Sequence, residues 1–175
     1  MGIYVYQDKV SPMEKKLKSF KFDWKNKSVL ELGCNVGKLG LYVNGRGAKK
    51  YKGVDYDSNM IKIGIERYGL DLVCMDVSDC KVFEYDVVIA MAVFHHFPDE
   101  KFLPLLTNIT SKELIFEVPV GINDVGLYQI RTQEWYTEKI EELYGEVLSI
   151  TDSGATNDPY NKRVIFHCKR DVSTC

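Results

Sequence analysis

An acid-bearing strand that runs straight into a turn of small residues limits this chain more than any other stretch. Val29–Leu32 reads as a short strand, Gly33-Cys34-Asn35-Val36-Gly37 as a tight turn, and Lys38–Asn44 as a helix. A strand that stops at such a turn brings bare backbone close to whatever lies above the strand end. In an open α/β sheet that is where ligands bind. A second strand, Tyr51–Asp55, ends in an acid. An acid in that place can accept hydrogen bonds from both hydroxyls of a ribose. The two segments together read as a holder for a nucleoside.

The rest of the chain continues the alternation. Ser58 is placed to cap a helix through Tyr68 that carries Met60, Ile61, Ile63 and Ile65, with Gly69 as its stop. Asp71–Met75 reads as a third strand, followed by Asp76. Tyr85–Val93 is a continuous apolar run of the kind buried on both faces of a parallel sheet. A helix over Pro98–Ile109, a strand over Glu113–Val118 and a helix over Thr132–Tyr144, closed by Gly145, follow. Glu146–Thr151 and Arg163–Lys169 are late strands joined by the turn-rich Asp152–Asn161, with no helix between them. Upstream, Pro12–Phe20 reads as a short helix capped by Ser11.

Alternating strands and helices predict an α/β fold with a doubly wound, mostly parallel sheet of seven strands. The last two strands can pair only as a hairpin, so one of them runs antiparallel to the rest. The expected organisation is one domain over 1–175, with 1–27 as an N-terminal helical extension and 28–169 as the core.

Composition narrows the class. A length of 175 residues suits one domain with a real core, and 45% hydrophobic and 27% charged residues are ordinary for a soluble protein. A formal net charge of −2 does not favour a nucleic-acid-coating surface, although residues 1–27 carry seven lysines. Five cysteines with no C-x-x-C pair point to neither a zinc site nor a disulfide framework. The first residues read as neither a secretory leader nor a myristoylation signal, and no apolar run is long enough for a membrane span. A cytoplasmic protein without a metal is the expectation.

The glycine turn also carries a resemblance. Glu31, Gly33, Asn35 and Gly37 fall on the E/D-x-G-x-G-x-G motif of class I S-adenosylmethionine-dependent methyltransferases, with Asn35 in the middle glycine slot. Asn tolerates a left-handed backbone better than any residue except Gly. The dinucleotide fingerprint G-x-G-x-x-G is not met, because Asn35 and Lys38 stand where its second and third glycines belong. A late antiparallel hairpin strand is a mark of the same methyltransferase fold. The stretch Ala90-Met91-Ala92-Val93-Phe94-His95-His96-Phe97-Pro98-Asp99 resembles one common in small-molecule methyltransferases.

The resemblance implies S-adenosylmethionine as cofactor and a small or terminal acceptor, most plausibly an oxygen. It implies backbone N–H groups of Gly33–Gly37 for the methionine carboxylate and Glu31 as nearby negative charge for the amine and sulfonium. Asp55 would take the ribose, Tyr56 the adenine face, and Asp76 with Val77 the adenine edge. Ala90 and Met91 would lie at the end of the fourth strand, below the cofactor. Either His95 or His96 is a candidate base, and Glu117 is a second; the alternative for the histidines is a packing role. The polar segment after the fifth strand, with Asn123, Asp124, Tyr128 and Arg131, suits a loop lining the acceptor pocket. Asn157-Asp158-Pro159-Tyr160 reads as a turn. Two other functions stay open: a cofactor-binding but inactive partner subunit, and a nicotinamide-dependent oxidoreductase.

Overall fold

The computed structural model describes residues 22–80, 85–121, 129–154 and 162–171. The expected helix over Pro12–Phe20, residues 122–128 of the polar segment, and the turn at Asn157–Tyr160 lie outside the described residues. Seven strands form one sheet: β1 (Ser28–Leu32), β2 (Lys50–Asp55), β3 (Leu72–Cys74), β4 (Val87–Met91), β5 (Glu113–Val120), β6 (Gly145–Gly154) and β7 (Lys162–Arg170). Among the described residues four helices accompany them: α1 (Lys38–Asn44), α2 (Ser58–Tyr68), α3 (Asp99–Asn108) and α4 (Gln133–Leu143). Short 3-10 turns sit at Val77–Asp79 and Phe94–His96.

The sheet order is β3-β2-β1-β4-β5-β7-β6. Strands β1 to β5 pair in parallel, and β7 is inserted antiparallel between β5 and β6. The expected doubly wound sheet with a late antiparallel hairpin strand is therefore present. Side-chain alternation assigns the two faces. Leu30, Leu32, Val88, Ala90, Leu114, Phe116 and Val118 pack with Phe102, Leu106, Tyr136 and Ile140 of α3 and α4. Val29, Val87, Ile89, Met91, Ile115 and Ile165 pack with Trp24, Leu39, Val43 and Ile61 on the other face.

Three local expectations are corrected. Asp57, not Ser58, caps α2: its carboxylate accepts from the N–H groups of Asn59 and Met60 at 2.9 and 3.3 Å. Ile65 faces solvent at 45% exposure, because the inward row of α2 is Met60, Ile61 and Gly64. Gly64 lies so close to Leu72 and to the Val36 carbonyl that no side chain fits. Gly145 does not close α4. It opens β6, where the backbone of Lys169 and Asp171 leaves no room for a Cβ. Gly69 does end α2, in the left-handed conformation.

Chain order turns around between β1 and β4: from β1 the chain builds outward to β2 and β3, then crosses back to β4 and β5. The crevice above such a switch point is the ligand site of an open α/β sheet. The β1–α1 turn, Asp55, Asp76 and the Phe94–His96 turn all lie at this carboxyl edge.

Candidate active site

The β1–α1 turn is held in a left-handed shape at three of its five residues: Gly33 at φ 69°, Asn35 at φ 52° and Gly37 at φ 76°. Asn35 thus takes the conformation for which glycine or asparagine is suited. A Cβ at Gly33 would collide with Val93, so the turn is pressed against the loop that follows β4. Ala92, which starts that loop, is itself left-handed at φ 59°. An alanine there carries about 1–2 kcal/mol of backbone strain. Its N–H is tied to the Glu117 carbonyl at 3.1 Å.

The turn's N–H groups are not available in the way the resemblance implied. Gly33 and Cys34 both donate to the Val54 carbonyl, at 2.8 and 3.0 Å, and Gly37 donates to the Cys34 carbonyl at 2.8 Å. Val36 donates to Asn35 Oδ1 at 2.9 Å, and Asn35 to Asp55 Oδ2 at 2.8 Å. All five donors are spent in building the turn. What it offers a ligand is close approach.

Asp55 is 8% exposed at the end of β2. Besides the Asn35 bond, its Oδ1 accepts from the Asp57 N–H at 2.9 Å. Each carboxylate oxygen has a further lone pair, so Asp55 braces the turn and can still accept two hydroxyls. Next to it Tyr56 is 80% exposed, a ring on the lip of the crevice. Asp76 lies at the end of β3 and is exposed. Its Oδ1 accepts from both the N–H and the hydroxyl of Ser78, at 2.8 and 2.7 Å. Those two bonds hold its carboxyl below the usual carboxylate range. Val77 buries its side chain in the core. Pairing of β4 with β1 stops at Ile89, which leaves Ala90 level with Leu32, the last residue of β1, and Met91 one residue beyond it. The Ala90 methyl points into the α3–α4 core and the Met91 side chain to the opposite face.

Glu31 is 1% exposed, and its Oε2 accepts from the Tyr51 hydroxyl at 2.5 Å. Burial pushes its pKa up to about 8, with the Tyr51 hydroxyl pulling it back and Asp55 raising it further. Without a cation nearby this carboxyl keeps its proton at neutral pH. The standing negative charge expected of it is thereby corrected. The Cys34 thiol beside it is pushed far up by burial and by both acids.

The histidine turn is nailed down by Phe94. Its fully buried ring lies 5.1 Å from Phe102 and 5.3 Å from Phe116, centre to centre. His95 is buried at 2% exposure, its ring 4.2 Å from that of His96. Burial, His96 and the guanidinium groups of Arg163 and Arg131 push the His95 pKa down to about 3. An imidazole so hard to protonate is a poor base at neutral pH. His96 is exposed, its pKa lowered by burial and by Arg163.

Glu117 is 2% exposed. Its Oε1 accepts from the Ser153 hydroxyl at 2.6 Å, and its Oε2 lies 3.6 Å from Arg163 Nη1. Arg131, expected in the pocket loop, is engaged by its neighbours. Its guanidinium bonds Asp99 and the Phe97 carbonyl, and stacks on Trp135 at 4.7 Å. With Gln129 N–H donating to the His95 carbonyl at 2.8 Å, this fastens the segment before α4 onto the histidine loop. Tyr51, Ser153 and Arg163 were not singled out from the sequence, and nothing local in the sequence marks them. Among the described residues no group of acids, histidines and cysteines is placed to hold a metal ion.

Residues 29–111 match the family profile described as a methyltransferase domain. No curated protein matches the chain. Among solved structures, an S-adenosylmethionine-dependent methyltransferase from Mesorhizobium loti is 12% identical. The match covers 91% of this chain and 98% of that one at a TM-score of 0.72. Magnesium protoporphyrin IX methyltransferase from Synechocystis, with bound S-adenosylmethionine, is 16% identical over 98% of this chain and 86% of that one, TM-score 0.73. A 1,6-didemethyltoxoflavin N1-methyltransferase from Burkholderia thailandensis, with its substrate and S-adenosylhomocysteine bound, is 14% identical over 95% and 81%, TM-score 0.74. At such identities the likeness is one of fold.

Proposed function

We infer that this chain is a class I S-adenosylmethionine-dependent methyltransferase that moves the methyl group onto an oxygen of a small or terminal acceptor, a reading supported by the matched domain and the fold. The observation that carries this reading is the lock between Asp55 and the left-handed turn, set beside the exposed Tyr56 at the switch point. The inserted antiparallel β7 speaks against the nicotinamide reading, whose classic sheet is parallel in the order 3-2-1-4-5-6.

The cofactor, when bound, supplies an electrophilic methyl on a sulfonium. We assign Asp55 to the ribose hydroxyls and Tyr56 to the adenine face. Asp76 and Val77 take the adenine edge, and Gly33, Asn35, Gly37, Ala90 and Met91 the walls that let the ligand approach closely. Glu31 gains its negative charge only as a cation arrives above it. On the acceptor side His96, exposed at the lip, takes the proton of a hydroxyl acceptor. His95 holds the loop, and Glu117 orients Arg163. Holding the nucleophile in line with the methyl can by itself supply ~7–11 kcal/mol of the barrier.

The described residues are taken up by the sheet and its covering helices, which supports a small acceptor. The described cysteines Cys34, Cys74, Cys80 and Cys168 are free thiols, which supports a reducing compartment, the cytoplasm. No described helix is long and apolar enough to cross a membrane. We treat 28–169 as one methyltransferase domain with 1–27 as its extension. The low His95 pKa gives the inactive-subunit reading its one favourable observation. Calorimetry with S-adenosylmethionine, S-adenosylhomocysteine and NAD tests the cofactor. Tight NAD binding with no response to the other two ends the reading. Tritiated methyl transfer to a small-molecule extract then separates enzyme from inactive subunit, and alkali-stable product separates ether from ester.

A further inference from the structure

Arg163 sits at the carboxyl edge of the sheet, opposite Pro119 of β5, and is poorly employed. Its Nη1 is buried and makes no hydrogen bond. The one partner found for its guanidinium among the described residues is the ion pair with Glu117 at 3.6 Å, beyond hydrogen-bond length. A guanidinium carries five donors in a fixed fork that matches an oxyanion. Glu117 is fixed in turn by the Ser153 hydroxyl, so the arginine is held from behind by a carboxylate that cannot swing away. The side chain is still 22% exposed, so one side of it faces outward.

Strand order says what it faces. The ribose acid is on β2 and the crevice lies between β1 and β4, so the cofactor covers the β3-β2-β1 half of the edge. Arg163 is on β7, three strand spacings from β1, or about 14 Å. It is too far to reach a carboxylate seated at the β1–α1 turn. It is close to the histidine loop, since both His95 and His96 feel its charge.

We propose that Arg163 binds an anionic oxygen group, a carboxylate or a phosphate, on the methyl acceptor, with Glu117 and Ser153 positioning its guanidinium. This rests on the methyltransferase reading above and adds the substrate class to it. A charged handle held 3.6 Å in front of a buried carboxylate selects acceptors by charge and sets their register toward the crevice.

The test uses the full chain loaded with S-adenosylhomocysteine, its arginine side chains labelled with nitrogen-15. Sodium phosphate and, separately, sodium acetate are titrated in at constant ionic strength. The Arg163 signal is assigned by its loss in Arg163→Gln. It should shift saturably and several-fold more than those of Arg46, Arg67 and Arg170, and the anion giving the tighter curve names the oxyacid. Arg163→Lys should bind the same anion at least 10-fold more weakly. A response no larger than that of the other arginines overturns the proposal. So does a Gln variant whose melting temperature rises with the anion as much as the native chain's. If Arg163→Gln does not fold, Arg163→Lys supplies the assignment and the native titration still decides. Failure of the native chain to bind S-adenosylhomocysteine would sink the methyltransferase reading; binding with a silent Arg163 would sink this inference alone.

Discussion

Removing the Asp55 carboxylate should damage two things at once, and by different amounts. In the ligand-free chain the group accepts the N–H groups of Asn35 and Asp57, at 2.8 and 2.9 Å. Both donors belong to half-buried residues, so water replaces part of what is lost in Asp55→Ala. A stability loss of about 1–3 kcal/mol is expected, at the low end of two charge-assisted bonds. For a chain of this size that lowers Tm by roughly 2–4 °C per kcal/mol. On the proposed reading the same carboxylate also takes the ribose hydroxyls in the complex. S-adenosylhomocysteine should therefore bind more weakly by about 1.5–3 kcal/mol, or about 10- to 150-fold. Asp55→Asn should not rescue the chain, because its amide turns an N–H₂ toward one of the two backbone donors. Differential scanning calorimetry and isothermal titration on the same preparations measure both effects. A lowered Tm with affinity unchanged within twofold would refute the ribose role and leave Asp55 as a brace for the turn.

Gly33→Ala should cost about 1–3 kcal/mol in urea unfolding, from the left-handed backbone and the collision with Val93; Val93→Ala should restore part of it, and no restoration would mean the contact is not the cause. Affinity for S-adenosylmethionine should rise with pH toward about 8 and then level, because the cation favours the ionised Glu31. Proton release on binding, read by calorimetry in buffers of different ionisation enthalpy, should vanish in Glu31→Gln. His95 stays neutral in the folded chain down to about pH 3 but takes a proton near 6.5 when unfolded. The unfolded state binds more protons in that window, so stability should drop by up to about 2 kcal/mol between pH 7 and pH 5. His95→Gln should remove that slope, and an unchanged slope would assign it elsewhere.

The turn and strand end assigned to the cofactor were legible because their parts are local. Gly33, Asn35 and Gly37 are adjacent, and their left-handed backbone follows from residue type. The position of Asp55 follows from a strand that ends there. The same reasoning failed wherever the chain spends its own groups. The N–H donors of the turn look free in a sequence, since the Val54 carbonyl and the Asp55 carboxylate that absorb them come from β2. Glu31 looks charged until Tyr51 and the surrounding core remove it from water. Arg131 looks free to meet a ligand until its bonds to Asp99 and Phe97 and its stacking on Trp135 are seen.

Glu117 was singled out from the sequence, but its grouping with Ser153 and Arg163 was illegible for a geometric reason. Glu117, Ser153 and Arg163 lie on β5, β6 and β7, three strands brought together only by antiparallel pairing. Their meeting depends on register: Pro119 opposes Arg163, which leaves Glu117 one pair further along on the same face of the sheet. It depends as well on an irregularity between Asp152 and Gly154, where Ser153 is the extra residue. A bulge re-aims a side chain, and here the hydroxyl reaches the Glu117 carboxylate. Neither register nor bulge has a residue signature as strong as a glycine turn. On the proposed reading the cofactor contacts lie on β1 to β4, and the acceptor contacts on the histidine loop and on β5 to β7. Substitutions in the hairpin are then expected to change what is methylated without disturbing how the methyl donor is held.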